Sequence, residues 1–161
     1  MVTVAAVAVS LSVVGCGGGA SAKTADALQM RPVEKTSHGS CATGSRTTNP
    51  PGASPAELSS LNGDTCFTLG RQVVGFDRAG AGVPSSTGSL ASPRLLVTLP
   101  AGTSTALNAY AGKHVGDMLA VVMFGKVLEA PQIEAASFNG NIVLTGLTPG
   151  QAHMVQTALA P

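Results

Sequence analysis

The side chains able to do chemistry in this chain are few and scattered. Its three histidines, His38, His114 and His153, stand far apart in the sequence. His114 falls near the end of one expected helix and His153 inside another. A lone histidine on a helix is ordinarily a surface group or a satisfied core group rather than a base. Serine and threonine abound, but no Gly-x-Ser-x-Gly elbow is present. Gly17, Gly18 and Gly19 have no strand before them and no Lys-Ser/Thr after them, so they read as linker and not as a phosphate cradle. Asp64 and Asp77 flank the second cysteine region, where turn duty is the ordinary role. No carboxylate pair has a spacing that argues acid–base work. The expectation is a protein that is not an enzyme, with no catalytic residues, no cofactor and no metal site.

The cysteines carry more information. The first fourteen residues, MVTVAAVAVSLSVV, are almost wholly apolar and lead into Gly15-Cys16. An apolar run closed by small residues before a cysteine is how a lipoprotein signal peptide ends. The chemistry is lipid attachment to the Cys16 thiol, cleavage before it, and acylation of the new terminus. No Lys or Arg precedes the run, and the first cation is Lys23, beyond the cleavage point. The alternative is an uncleaved anchor. As a helix, the thirteen residues of 2–14 reach only about 20 Å, against a hydrocarbon core of roughly 30 Å. A full span is therefore not expected.

With Cys16 lipidated, Cys41 and Cys66 remain as one pair in an oxidising space, where disulfides persist. Closing a loop of about 26 residues contributes about 3 kcal/mol by chain entropy. The alternative is two free thiols. His38 and Asp64 lie nearby, too few to make a metal site with them.

Nine Lys+Arg against eight Asp+Glu, with no run of either sign, give no nucleic-acid footprint and no polybasic membrane patch. Five aromatics (Phe67, Phe76, Tyr110, Phe124 and Phe138) are too few for a base-stacking platform. The expected organisation is a signal peptide at 1–15, a small polar tether at 16–27 and a single domain at 28–161. No internal repeat is evident, and no stretch after the signal is long and apolar enough to span a bilayer.

Residues 28–33 alternate apolar and polar as a half-buried strand does. Pro32 lacks a ladder donor, which predicts an edge position or a strand end. The Ser, Thr, Gly, Asn and Pro content of 35–64 predicts an irregular excursion. Within it Ser54-Pro55-Ala56-Glu57 reads as a capping box opening a short helix through Leu58 and Leu61. A strand is expected within 66–74, a second loop at 78–93, and a strand at 94–99. A helix capped by Thr103 or Ser104 follows, with Leu107, Tyr110 or Ala111, and Val115 on its apolar stripe and Gly116 as its stop. The unbroken apolar run 118–123 predicts a central, buried strand. Phe124-Gly125 turns it into 126–129, but Phe is an unusual residue for a two-residue hairpin loop, which predicts a longer or different turn. Asn139-Gly140 is a better turn signal and leads to a strand at 142–144. Thr148-Pro149-Gly150-Gln151 caps a last helix that shows Ala152, Val155 and Leu159 to the core.

These elements predict an α+β fold, a ferredoxin-like sandwich with an antiparallel or mixed sheet, two main helices on one face and long irregular loops. The opposite face is left to loops, a partner or water.

The segment 114–133, HVGDMLAVVMFGKVLEAPQI, is more specific than composition. It resembles the signature of the SecD protein-export family, in which an Asn-Val-Gly, an apolar strand, an Asp-Gly-Lys-Val turn and a Ser-Ala-Pro follow one another. Thr145-Gly146 and the capped helix after it resemble the next elements. Met30-Arg31-Pro32-Val33, Leu69-Gly70 and Gly75-Phe76-Asp77 resemble weaker landmarks in the same order. The resemblance covers most of 28–161 and matches the head subdomain of the family's first large extracytoplasmic domain. Phe124 stands where the family has Asp, and Glu129 where it has Ser. Within these 161 residues nothing corresponds to the family's bundle of transmembrane helices. With the membrane tether expected from Cys16, the resemblance implies an extracytoplasmic module that contacts unfolded or translocating polypeptide, or translocon subunits. The 118–128 hairpin, with Phe124, Gly125 and Lys126 at its tip, is the candidate binding surface, although most of Met118, Leu119, Val121, Met123 and Val127 are expected to be core. Because a fold does not fix function, the alternative is an envelope lipoprotein reusing this fold for an unrelated ligand or partner.

Overall fold

The computed structural model describes residues 27–41, 55–76, 85–89 and 92–160. The expected lipidation site Cys16, the expected signal at 1–15, all but the end of the expected tether, and Ser54 and Asp77 lie outside them. The elements are β1 (Leu28–His38), β2 (Ala56–Ser59), β3 (Thr65–Leu69), β4 (Val74–Phe76), β5 (Ser85–Ser89), β6 (Ser92–Thr98), α1 (Ala101–Ala111), β7 (Leu119–Met123), β8 (Lys126–Glu129), β9 (Asn141–Leu144) and α2 (Pro149–Leu159). The fold is α+β, with antiparallel strands and two helices in a ferredoxin-like sandwich. The strands form two sheets. One runs β2-β3-β1-β7-β8, with β4 on the other half of β1, and the second runs β5-β6-β9.

Strand β7 explains why its sequence is apolar without alternation. All five of its residues are buried, because it separates two cores. Leu119, Val121 and Met123 face the larger core, which also takes Leu28 and Met30, Leu95 and Val97, Leu107 and Ala111, and Ala152, Val155 and Leu159. Ala120 and Val122 point the other way, into a smaller core with Leu58, Phe67, Leu69 and Val127. The sheet curls around this second core until its ends meet. Ser60 forms a bridge to Val127, and Leu61 N donates to Val127 O at 2.9 Å. The face expected to await loops, a partner or water is thus filled by the chain's own β2 and β3.

That arrangement corrects the helix expected from Ser54-Pro55-Ala56-Glu57. Ala56 and Leu58 are buried while Glu57 is exposed, a period of two. The register Ala56↔Leu69, Glu57↔Thr68, Leu58↔Phe67 and Ser59↔Cys66 makes this a strand. Four residues are too short for local helix signals to outweigh cross-strand pairing. Ser60 Oγ donates to Asp64 Oδ1 at 2.6 Å and accepts from Asp64 N and Thr65 N at 3.1 Å, which closes the β2–β3 turn. That hydroxyl holds the Asp64 carboxyl below its ordinary pKa. Leu61 follows in a turn, partly buried against the larger core.

Pro32 is not at an edge either, and β1 runs on to His38. The strand changes neighbours near this residue: β4 pairs with Leu28 to Met30 and β3 with Val33 to His38, while β7 stays opposite. On the changing side Pro32 only accepts, from Gly70 N at 2.9 Å, so its missing donor costs little. Arg31 Nε donates to Gly70 O at 2.8 Å. Burial lowers the Arg31 pKa, opposed by nearby Glu34. Gly70 is required at this crossing, since a Cβ there would stand 2.8 Å from both Pro32 Cγ and Glu34 Oε1.

Three smaller expectations also change. Helix α1 starts at Ala101 after Pro100, not after Thr103 or Ser104, and ends with Gly112 as its C-cap. Val115 is therefore beyond the helix and 56% exposed. Part of the expected 78–93 loop is strand, since β5 pairs with β6 from Ser85↔Leu96 to Ser89↔Ser92. The capping box of α2 forms as read, Gln151 N donating to Thr148 Oγ1 and Thr148 N to Gln151 Oε1.

Candidate functional site

The hairpin singled out by sequence has a two-residue loop. Met123 pairs directly with Lys126, and both intervening residues are left-handed, Phe124 at φ 53° and Gly125 at φ 68°. The turn is neither longer nor of a right-handed type. Phe124 is 53% exposed, whereas Leu119, Val121, Met123 and Val127 are core. Both edges of β7 are occupied, by β1 and β8, and β8 accepts from Leu61 on its far side. Of residues 118–128, Met118 and Phe124 are exposed, Gly125, Lys126 and Leu128 are half-buried, and the rest are buried.

An edge open at one residue lies elsewhere, between Asn141 N, which donates to Phe138 O, and Thr145 N, which donates to Glu129. Strand β9 is the outer strand of the second sheet. Leu99 N donates to Gly140 O at 2.8 Å, and the register sets Val97 opposite Ile142 and Leu95 opposite Leu144. Bonded and non-bonded pairs alternate in an antiparallel ladder. The N–H and C=O of Val143 therefore point away from β6. Beside this edge is an apolar groove of about 210 Å³, lined by Met30, Leu119, Val121, Ile133, Phe138 and Ile142 among others. Glu129 closes one end: its carboxylate accepts from Thr145 N at 3.0 Å and from Thr145 Oγ1 at 2.6 Å. Asn108 Oδ1 accepts from Phe138 N at 2.7 Å and fixes the opposite wall to α1. Sequence reasoning found β9 from Asn139-Gly140 and its apolar triplet but not its edge position, which depends on a strand order that no local signal encodes.

The titratable groups stay dispersed. His38 ends β1, His114 follows α1 and His153 lies within α2. His114 stacks on Tyr110 with ring centroids 4.0 Å apart and contacts Asp117 through Nδ1 at 2.9 Å. Burial, and secondarily Asp117, raises the Tyr110 pKa. Among the described residues no group of three or more His, Cys, Asp or Glu could hold a metal ion. Cys41 and Cys66 are joined in a disulfide, with Cα atoms 4.8 Å apart. No helix among the described residues is long and apolar enough to cross a membrane.

No family model matches the sequence, and no curated protein matches it. Solved structures do. One, described as a membrane component SecDF that enhances protein export, aligns with TM-score 0.54 at 18% identity over 82% of this chain and 60% of its own. Another, SecDF in a super-membrane-facing form, aligns with TM-score 0.53 at 18% identity over 82% of this chain and 18% of its own. The chain thus spans less than two thirds of the first and under a fifth of the second. At that identity the likeness concerns architecture alone: this chain has a SecDF-like fold.

Proposed function

We propose that this protein is a membrane-tethered, extracytoplasmic binding module of the protein-export apparatus, without catalysis, that holds extended polypeptide. The observation that carries the reading is the outward-facing backbone of Val143 beside an apolar groove. An extended chain laid along β9 gains main-chain hydrogen bonds whatever its sequence, and its alternate side chains enter the groove. The SecDF likeness supplies the setting.

Val143→Pro tests the site. It removes the N–H that faces outward and leaves the β6 ladder bonds of Ile142 and Leu144 in place, a position where an edge strand tolerates proline. Binding of fluorescein-labelled, carboxymethylated α-lactalbumin, an unfolded probe, is expected to weaken at least tenfold. Circular dichroism and the urea midpoint should stay near the parent's. Undiminished binding by a folded variant would remove β9 as the site. The tether is tested separately: the parent should incorporate a fatty-acid analogue and a Cys16→Ser variant should not. An unlabelled parent would end the lipoprotein reading.

A further inference from the structure

The chain solves the same turn problem twice, with different residues. Both two-residue turns require left-handed backbone. At 139–140 the residues are Asn (φ 45°) and Gly (φ 73°), the inexpensive choice; at 124–125 they are Phe (φ 53°) and Gly (φ 68°). A Cβ-bearing aromatic is disfavoured in that region, where Asn is tolerated through its short polar side chain. The ring does not recover the cost by packing. It is 53% exposed and belongs to neither core. Strain retained at an exposed position points to use of the side chain.

We infer that Phe124 is an anchor that inserts into an apolar cleft with an acidic rim on a folded partner protein. The tip is held rigid before any contact, because β7 is buried throughout and β8 is fastened by Leu61. A preordered aromatic loses little freedom on binding, and such side chains dominate interface energetics. Lys126 follows the turn two residues after Phe124 and is half-buried, with no ion pair among the described residues, which is the source of the acidic rim. A lipid surface is the less favoured occupant. Membrane affinity scales with buried apolar area, yet the other large apolar side chains on these two strands near the tip offer little of it: Val121, Val122, Met123 and Val127 are in the cores, and Leu128 is half-buried against the larger one. This contact is separate from the β9 groove, and its failure leaves that reading standing.

The test uses the full chain carrying photoreactive benzoylphenylalanine at position 124 or, as a control, at exposed Lys113, crosslinked in envelopes from cells that make it. One protein adduct is expected from position 124 and none at that size from 113. Unmodified parent should suppress it, whereas Phe124→Asn and Lys126→Glu competitors should need at least tenfold more. Unfolding in urea guards against a trivial loss. Phe124→Asn and Phe124→Ala both lack the ring, and Phe124→Asn should unfold at the higher midpoint, close to or above the parent's. No protein adduct, an adduct to lipid alone, or a Phe124→Asn competitor as effective as the parent would each overturn the anchor. An Asn variant no more stable than the Ala variant would overturn the strain argument.

Discussion

Phe67→Ala is expected to lose about 3–5 kcal/mol of stability, the usual cost of removing a buried aromatic. Phe67 is 9% exposed and packs with Leu58, Leu69, Val122 and Val127 in the smaller core. Nothing in the larger core can fill the space it leaves, because the backbone of β7 stands between the two. The measurement is the urea unfolding midpoint at unchanged slope, with Thr68→Ala as the control. Thr68 is half-buried and not part of either core, and its loss should cost under about 1 kcal/mol. Were 56–69 a solvated excursion with a short surface helix, both substitutions would be nearly neutral. Equal, small effects would therefore sink the second core and reopen the covered face of the sheet.

That contrast also shows which parts of the molecule could be read from residues alone. β7 was legible because five consecutive apolar residues have no solvated face to explain. α2 was legible because Thr148 and Gln151 complete a local hydrogen-bonded box. The turn at Asn139-Gly140 and the pairing of Cys41 with Cys66 were legible for similarly local or compartmental reasons. The smaller core was not, since Leu58, Phe67, Val122 and Val127 come from four strands spread over about seventy residues, and each lies in a segment with its own plausible local reading. The Ala-Glu-Leu-Ser of β2 satisfies a helical template and a strand template alike, and only the partner β3 decides between them. Pro32 misled for a related reason: the rule that sends proline to edges assumes a strand with the same neighbours along its length, which β1 lacks. The tip of the β7–β8 hairpin was located correctly, but the open strand edge belongs to β9, because edge and interior are properties of strand order and not of any one strand's sequence.

Reducing the Cys41–Cys66 bond, or replacing both cysteines by serine, should cost about 3 kcal/mol, the loop-entropy value for a separation of this size. The separation is 25 residues, and the bond joins the exit of β1 to the middle of the curled wing. Cys66 is in register with Ser37 of β1 and with Ser59 of β2. Cys41 N donates to Ser59 Oγ at 3.2 Å, so the same position is held to β2 as well. The bond therefore restrains the part of the sheet that encloses Phe67. Its loss should appear locally before it appears globally. Amide hydrogen exchange in β2 and β3 should accelerate on reduction, while β6, β9 and α2 keep most of their protection, since their side chains belong to the larger core. A Cys16→Ser background prevents the Cys16 thiol of any unlipidated chains from scrambling the bond. Because residue 67 adjoins residue 66, the disulfide and Phe67→Ala effects should fall short of additive. Full additivity, or uniform loss of protection across both cores, would mean that the wing and the main body unfold as one unit and that the bond is not specific to the smaller core. Retained wing protection after reduction would remove the staple role altogether, and with it the dependence of this fold on an oxidising compartment.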